Sequence, residues 1–253
     1  MHQCQSQELR SDLSRGRPRS LGGRPFFATL ASLKVAPHSA ESTPPLLEPG
    51  NSKLGTDGRF AETVFVWNLP AMATCPGASK WCSAHCYNAD ALSAKFPIEP
   101  WAVNWAWATE RPIELEAIIL ARIKAATPPI AFRIHSSGDF FSTPYVALWI
   151  TVCRASPDVC FWAYTRSWQI PEIAAALEEL RRVPNVELFA SWDNSMQEPP
   201  PGWRLSTVLD GGSPQPSTAS TLQCPEEDGR VANCADCGYC FSRRSGNVSF
   251  SLH

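Results

Sequence analysis

The sequence predicts an α/β fold, either a partial (β/α) barrel or an open parallel sheet, with a C-terminal cysteine-rich metal-binding extension. Three observations carry this expectation. Between residues 130 and 191, short apolar runs alternate with stretches of helical period. Each apolar run is nearly continuous, which suits parallel strands buried on both faces. Seven of the ten cysteines fall in two short loops, at spacings that suit metal ligands.

Residues 1–50 hold six prolines and scattered arginines without a sustained period, and read as a disordered tail. The α/β body is expected over 51–210, together with the first cysteine loop. Glu62–Asn68 is apolar and β-branched, so it reads as the first strand of that body. Glu99–Thr109 and Pro112–Ala126 read as helices. The second opens on proline and places Ile113, Ala117 and Leu120 near a 3.6-residue period. The alternation then runs strand Ile130–His135, helix Pro144–Ala155, strand Val159–Tyr164, helix Pro171–Arg182, strand Val186–Ser191. Ile173, Leu177 and Leu180 stripe the last of these helices, and Arg204–Leu209 reads as a further strand. A complete eight-fold barrel would be cramped in about 200 residues. Residues 211–253 comprise a Gly/Ser/Pro/Thr linker, the second cysteine loop and a last strand over Asn247–Leu252.

Composition narrows the function classes. Of 253 residues, 44% are hydrophobic and 18% charged, an ordinary globular balance. A net charge of −2 gives no global positive field for nucleic acid. The tail arginines (Arg10, Arg15, Arg17, Arg19 and Arg24) leave that partner open, beside the plainer reading of a solvated extension. No apolar run approaches the ~18 residues of a membrane helix. No apolar stretch follows the early basic residues, so no secretory signal and a cytoplasmic location are expected. Clustered thiols in a reducing compartment point to metal or redox chemistry rather than to disulfides.

The first loop, CPGASKWCSAHCY, separates Cys75, Cys82 and Cys86 by six and three residues. Three thiolates on one loop can hold three irons of a cubic cluster and leave the fourth open to a small ligand. His85 lies inside this loop, as a fourth ligand or as a histidine bonded to the backbone. The second loop, CPEEDGRVANCADCGYC, has Cys234, Cys237 and Cys240 at every third residue, with Cys224–Pro225 upstream. That is the C-x2-C-x2-C run of bacterial ferredoxins, with a remote cysteine to complete the shell. One or two 4Fe-4S clusters are therefore expected. Zinc is the alternative, although zinc ribbons usually present two separated C-x2-C pairs. Cys153 and Cys160 fall within helix and strand patterns and read as core residues.

In parallel α/β folds, ligands gather at the C-terminal ends of strands. Here those ends carry His135-Ser136-Ser137-Gly138-Asp139, then Thr165-Arg166-Ser167, then Ser191-Trp192-Asp193-Asn194. His135, Asp139 and Arg166 are the candidate catalytic residues, and helix capping is the plainer reading for the serines. Arg133, inside an apolar strand on the same face as His135, needs an anionic partner or ligand. Most of the ten tryptophans read as core or as shielding for the metal.

NSKLG at the start of the body, CPG-x4-C-x3-CY, SGDF, YTRS and the terminal C-x2-C-x2-C occur in that order. Together they resemble the gene product 88 family of phage and actinobacterial proteins, from Asn51 to the end. The resemblance implies no defined biochemical role. A weaker likeness is to radical S-adenosylmethionine enzymes, which hold a cluster on C-x3-C-x2-C after the first barrel strand. Cys82-x3-Cys86 and Tyr87 match part of that signature, and Cys75 lies on the other side. By that likeness, Ser137, Gly138 and Asp139 would stand where a Gly-Gly-Glu type loop holds the cofactor. The expectation is an iron–sulfur protein acting on an unknown small-molecule or macromolecular substrate, with S-adenosylmethionine a candidate at the open iron. The alternative is a zinc-stapled, non-enzymatic protein that binds nucleic acid or a host factor.

Overall fold

A computed structural model describes residues 45, 47–51, 53–55, 64–88, 98–209, 220–242 and 245–252. The expected tail lies outside these residues apart from Pro45 and 47–50, and the 211–221 linker lies outside apart from its last two positions.

The described residues build one eight-stranded sheet. Its strands are β1 (Glu48–Pro49), β2 (Val64–Trp67), β3 (Ile130–Ile134), β4 (Val159–Thr165), β5 (Val186–Ser191), β6 (Arg204–Leu209), β7 (Thr221–Gln223) and β8 (Asn247–Ser251). The order across the sheet is β1-β2-β3-β4-β5-β6-β8-β7, and only the β1–β2 pair is antiparallel. Among the described residues the two end strands do not pair with each other, so the sheet is open rather than a closed barrel.

The helices are α1 (Lys80–Ala84), α2 (Ile98–Glu110), α3 (Pro112–Ala125), α4 (Thr143–Ala155), α5 (Pro171–Arg181) and α6 (Cys234–Cys237). Proline in the first turn of α3, α4 and α5 has its φ preset for the helix and lacks only an N–H that would be unsatisfied there. Ser142 caps α4 by accepting from the Tyr145 N–H at 3.4 Å.

Strands β2 to β6 neighbour one another in chain order. Right-handed crossovers between such strands send every connecting helix to the same face. Alternation along each strand follows suit. Phe65, Trp67, Phe132, Ile134, Phe161, Ala163, Leu188 and Ala190 pack with Leu115, Trp149, Val152 and Leu177 of the helices. Val64, Val66, Ala131, Cys160 and Trp162 point the other way, onto Leu54, Ala235 and Phe241. The cysteine-rich segment covers this second face.

That arrangement corrects the expected C-terminal extension. The segment is no appendage, because β8 enters the sheet between β6 and β7 and α6 lies against the sheet. The body also begins earlier than Asn51, since Leu47 is buried and Glu48–Pro49 pairs with β2. Cys153 is a free, fully buried thiol, and Cys160 is buried in β4. Trp67, Trp101, Trp107, Trp149, Trp162, Trp168 and Trp203 are buried, as expected of core tryptophans. Among the described residues no helix is long and apolar enough to cross a membrane.

Candidate functional site

The first cysteine loop leaves β2 and folds over the C-terminal ends of β3, β4 and β5. Gly77 meets β4 so closely that a Cβ there would lie 2.2 Å from the Arg166 carbonyl oxygen. Gln169 donates to the Gly77 carbonyl at 2.6 Å. Ser79 caps α1, accepting from the Cys82 N–H at 2.9 Å and donating to Asp193 at 2.6 Å. Arg166 Nη1 ion-pairs with the same Asp193 oxygen, with both side chains about a tenth exposed (12% and 10%). Burial opposes the Asp193 charge, but hydrogen bonds from Ser195 and Ser79 and the Arg166 charge outweigh it and hold the carboxyl below its usual range.

Asp139 ties this rim together. It accepts from Thr165 Oγ1 at 2.6 Å, the Arg166 N–H at 2.8 Å and the Phe140 N–H at 2.7 Å. Burial raises its pKa, and those donors counter the rise. Gly138 takes φ +83°, and a Cβ there would stand 2.6 Å from Leu69 Cβ and 2.7 Å from Thr74 Oγ1, beneath the loop. Ser137 is buried, and its hydroxyl has no hydrogen-bond partner among the described residues.

Cys75, Cys82 and Cys86 are partly buried. Burial raises the Cys75 pKa, with the Asp139 charge and the Cys82 and Cys86 thiols adding to the effect. Burial also raises Cys82, which the Arg166 charge partly relieves. Asp139, Arg166 and the three cysteines thus share one neighbourhood. His135 does not present itself there. It takes φ +68° and turns into the helix-side core, its ring centroid 4.8 Å from Phe140 and its Nε2 2.8 Å from Tyr145 Oη. His85 is exposed and stacks on Trp81 at 4.5 Å.

Burial, then the Arg133 charge, depresses the His135 pKa to about 3 from 6.5. Nδ1 is buried without a hydrogen-bond partner among the described residues, so a second ring proton would have nothing there to bond. The unfolded chain therefore takes up this proton first. The stabilisation is complete above pH 6.5 and is lost as pH falls toward 3, at up to about 1.4 kcal/mol per pH unit. His135→Asn, which tolerates positive φ, is expected to flatten the acid limb of a plot of melting temperature against pH between 6.5 and 4. Identical acid slopes for parent and variant would refute this.

The second thiol set lies on the opposite face. Asn233 caps α6 by accepting from the Asp236 N–H at 2.9 Å. The NSKLG segment clamps it, with Lys53 and Leu54 carbonyls accepting from the Cys234 and Ala235 N–H groups at 2.8 and 3.1 Å. Gly55, at φ +95°, leaves room for Asn233, whose side chain a Cβ would meet at 2.7 Å. Cys234, Cys237 and Cys240 line a patch with Tyr164, and Cys224 joins them through Phe189, Tyr239 and Val248. Burial pushes Cys234 and Cys240 up to about 12, and neighbouring thiols reinforce it. Among the described residues, no three His, Cys, Asp or Glu side chains are arranged to hold a metal ion. The donor chemistry suits a thiophilic metal, and loading it requires the thiols to turn toward a common centre.

Sequence reasoning missed several positioning residues. Asn68, at the end of β2, accepts from the Ser136 and Ser137 N–H groups at 2.8 and 2.9 Å and shapes the β3 exit. Ser79 and Gln169 likewise act through the fold. Asn68 directly follows an apolar run, whereas Ser79 and Gln169 do not and carry no such signal.

Comparison with known proteins matches residues 45–243 to the family described as Gene product 88. The Gene 88 protein of Mycobacterium phage L5 is 30% identical over 202 residues, covering 70% of this chain and 82% of the relative. The Gene 88 protein of Mycobacterium phage D29 is 29% identical over 209 residues, with the same coverage. No solved structure matches. The linked motifs, from the NSKLG clamp to the C-x2-C-x2-C helix, lie on one sheet, and the chain belongs to the gene product 88 family.

Proposed function

We propose that this chain is an iron–sulfur protein in which Cys224, Cys234, Cys237 and Cys240 hold one cluster. Cys75, Cys82 and Cys86 would hold a second with one iron open. The observation that carries this reading is the gathering of four thiols in one patch, where burial raises the pKa of Cys224, Cys234 and Cys240 and so favours their protonated forms. A cation that replaces those protons removes that opposition, and its binding releases protons. Tetrathiolate ligation is the ordinary donor set of a 4Fe-4S cluster. At the first loop, the open iron would face Arg166 and the Asp139 rim. S-adenosylmethionine and a redox reaction are the ligand and reaction class proposed there.

Anaerobic purification tests the proposal. The parent protein is expected to hold about eight irons with matching sulfide. A Cys234→Ser, Cys240→Ser double variant is expected to hold about half. A colourless protein with one or two zincs and no sulfide would instead establish the zinc-stapled alternative. Release of 5′-deoxyadenosine on adding S-adenosylmethionine and a reductant reports on the first loop separately.

A further inference from the structure

Lys53, Arg204 and Arg133 stand near the Cys224–Cys240 thiols, and they differ in what already neutralises them. Lys53 is paired with Glu227 at 2.8 Å and Glu226 at 3.1 Å. Arg204 is paired with Glu187 at 2.9 Å. Arg133 has no carboxylate partner among the described residues. Its Nε donates to the His135 carbonyl at 3.2 Å, and its guanidinium lies 5.4 Å from the Tyr164 ring centroid. Tyr164 packs in turn against Cys234 and Cys240.

Strand alternation puts Arg133 there. Phe132 and Ile134 belong to the helix-side core, and Ala131 belongs to the thiol-side cluster, so Arg133 shares the thiol side. A guanidinium cannot shed its charge, and holding it in a largely apolar wall without an anion is costly. The carbonyl and the tyrosine ring offset part of that cost. The missing element, among the described residues, is an anion beside the Arg133 guanidinium. Four protonated thiols do not supply one, whereas four thiolates around an iron–sulfur core do.

We propose that Arg133 is the built-in counter-charge of the second thiol set. It is a positioning residue that compensates an anionic cluster on Cys224, Cys234, Cys237 and Cys240 and raises that cluster's reduction potential. This rests on the iron–sulfur reading above. A fixed positive charge favours the more negative, reduced state. Lys53 and Arg204 contribute less, because their carboxylates already offset them.

The test is an anaerobic redox titration of parent, Arg133→Met and Arg133→Lys, each with iron and sulfide measured first. Arg133→Met is expected to keep its metal and to shift the oxidised-to-reduced ratio at fixed potential tenfold toward oxidised, a fall of 59 mV for a one-electron couple. Arg133→Lys is expected to restore the parent midpoint. If Arg133→Met does not accumulate folded, Arg133→Gln carries the same expectation, since it keeps a donor without the charge. A fully loaded variant with the parent midpoint overturns the inference and leaves the iron–sulfur reading standing. A residue that only supports the fold would change stability or iron content without moving the midpoint. A parent protein without iron removes the reading and the inference together.

Discussion

Asp139→Ala is expected to lower the unfolding free energy by about 4 kcal/mol. The carboxylate is 5% exposed and accepts three hydrogen bonds between 2.6 and 2.8 Å. Alanine leaves the Thr165 hydroxyl and two backbone N–H groups without that acceptor. Each buried unsatisfied donor costs about 1–3 kcal/mol, less what is recovered by no longer burying a carboxylate. Asp139→Asn separates these effects. Oδ1 takes the Thr165 and Phe140 bonds, and Oδ2 takes the Arg166 bond. An amide can keep its oxygen on the first two but then sets an NH2 against the Arg166 N–H, for about half the loss. Urea unfolding of the three proteins measures this. Losses below about 1 kcal/mol in both variants would mean that the carboxylate does not fasten the rim.

The strands and helices of the body were legible because their signals were local. Val186–Ser191 and Arg204–Leu209 coincide with their apolar runs, and the prolines mark the first turns of α3 and α5. β1 and β7 were not, since strands of two and three residues carry no period. The same limit applied to the site. Cysteine spacing identified both thiol sets, and strand-end polarity identified Asp139 and Arg166. Spacing could not reveal that one loop lies at the strand-end rim and the other against a sheet face, because the rim follows strand order and the cysteine-rich layer follows strand alternation. His135 illustrates the difference. Two-residue alternation put it beside Arg133, but its positive φ lies past the strand end, where alternation lapses, and its ring joins the helix-side core. Arg133 was legible as a charge that needs an anion. Only the packing of Tyr164 with Cys234 and Cys240 shows which side chains stand next to that charge.

Gly77→Ala is expected to release the first cysteine loop from the sheet, at a cost of about 3 kcal/mol in stability. A Cβ at this position would stand 2.2 Å from the Arg166 carbonyl oxygen, 2.4 Å from its carbon and 2.8 Å from the Ser167 nitrogen. All three are backbone atoms at the end of a central strand, so the loop must move instead. Its movement breaks the Gln169–Gly77 bond and pulls Ser79 away from Asp193, which leaves Arg166 and Ser195 to hold that carboxylate. The sharper readout is chemical. Cys75 and Cys82 react slowly as long as burial keeps them protonated, and a lifted loop exposes both. Labelling of these two by a thiol reagent is expected to accelerate at least tenfold, with Cys234 and Cys240 against the sheet face unaffected. Gly229→Ala is the matched control. Its φ is +69° but nothing stands within 4 Å of the added carbon, so it bears only the left-handed cost of about 1–2 kcal/mol. Equal labelling rates in parent and Gly77→Ala would show that the loop does not depend on this contact. Selective acceleration would locate its hold on the sheet at the crossing of Gly77 and Arg166.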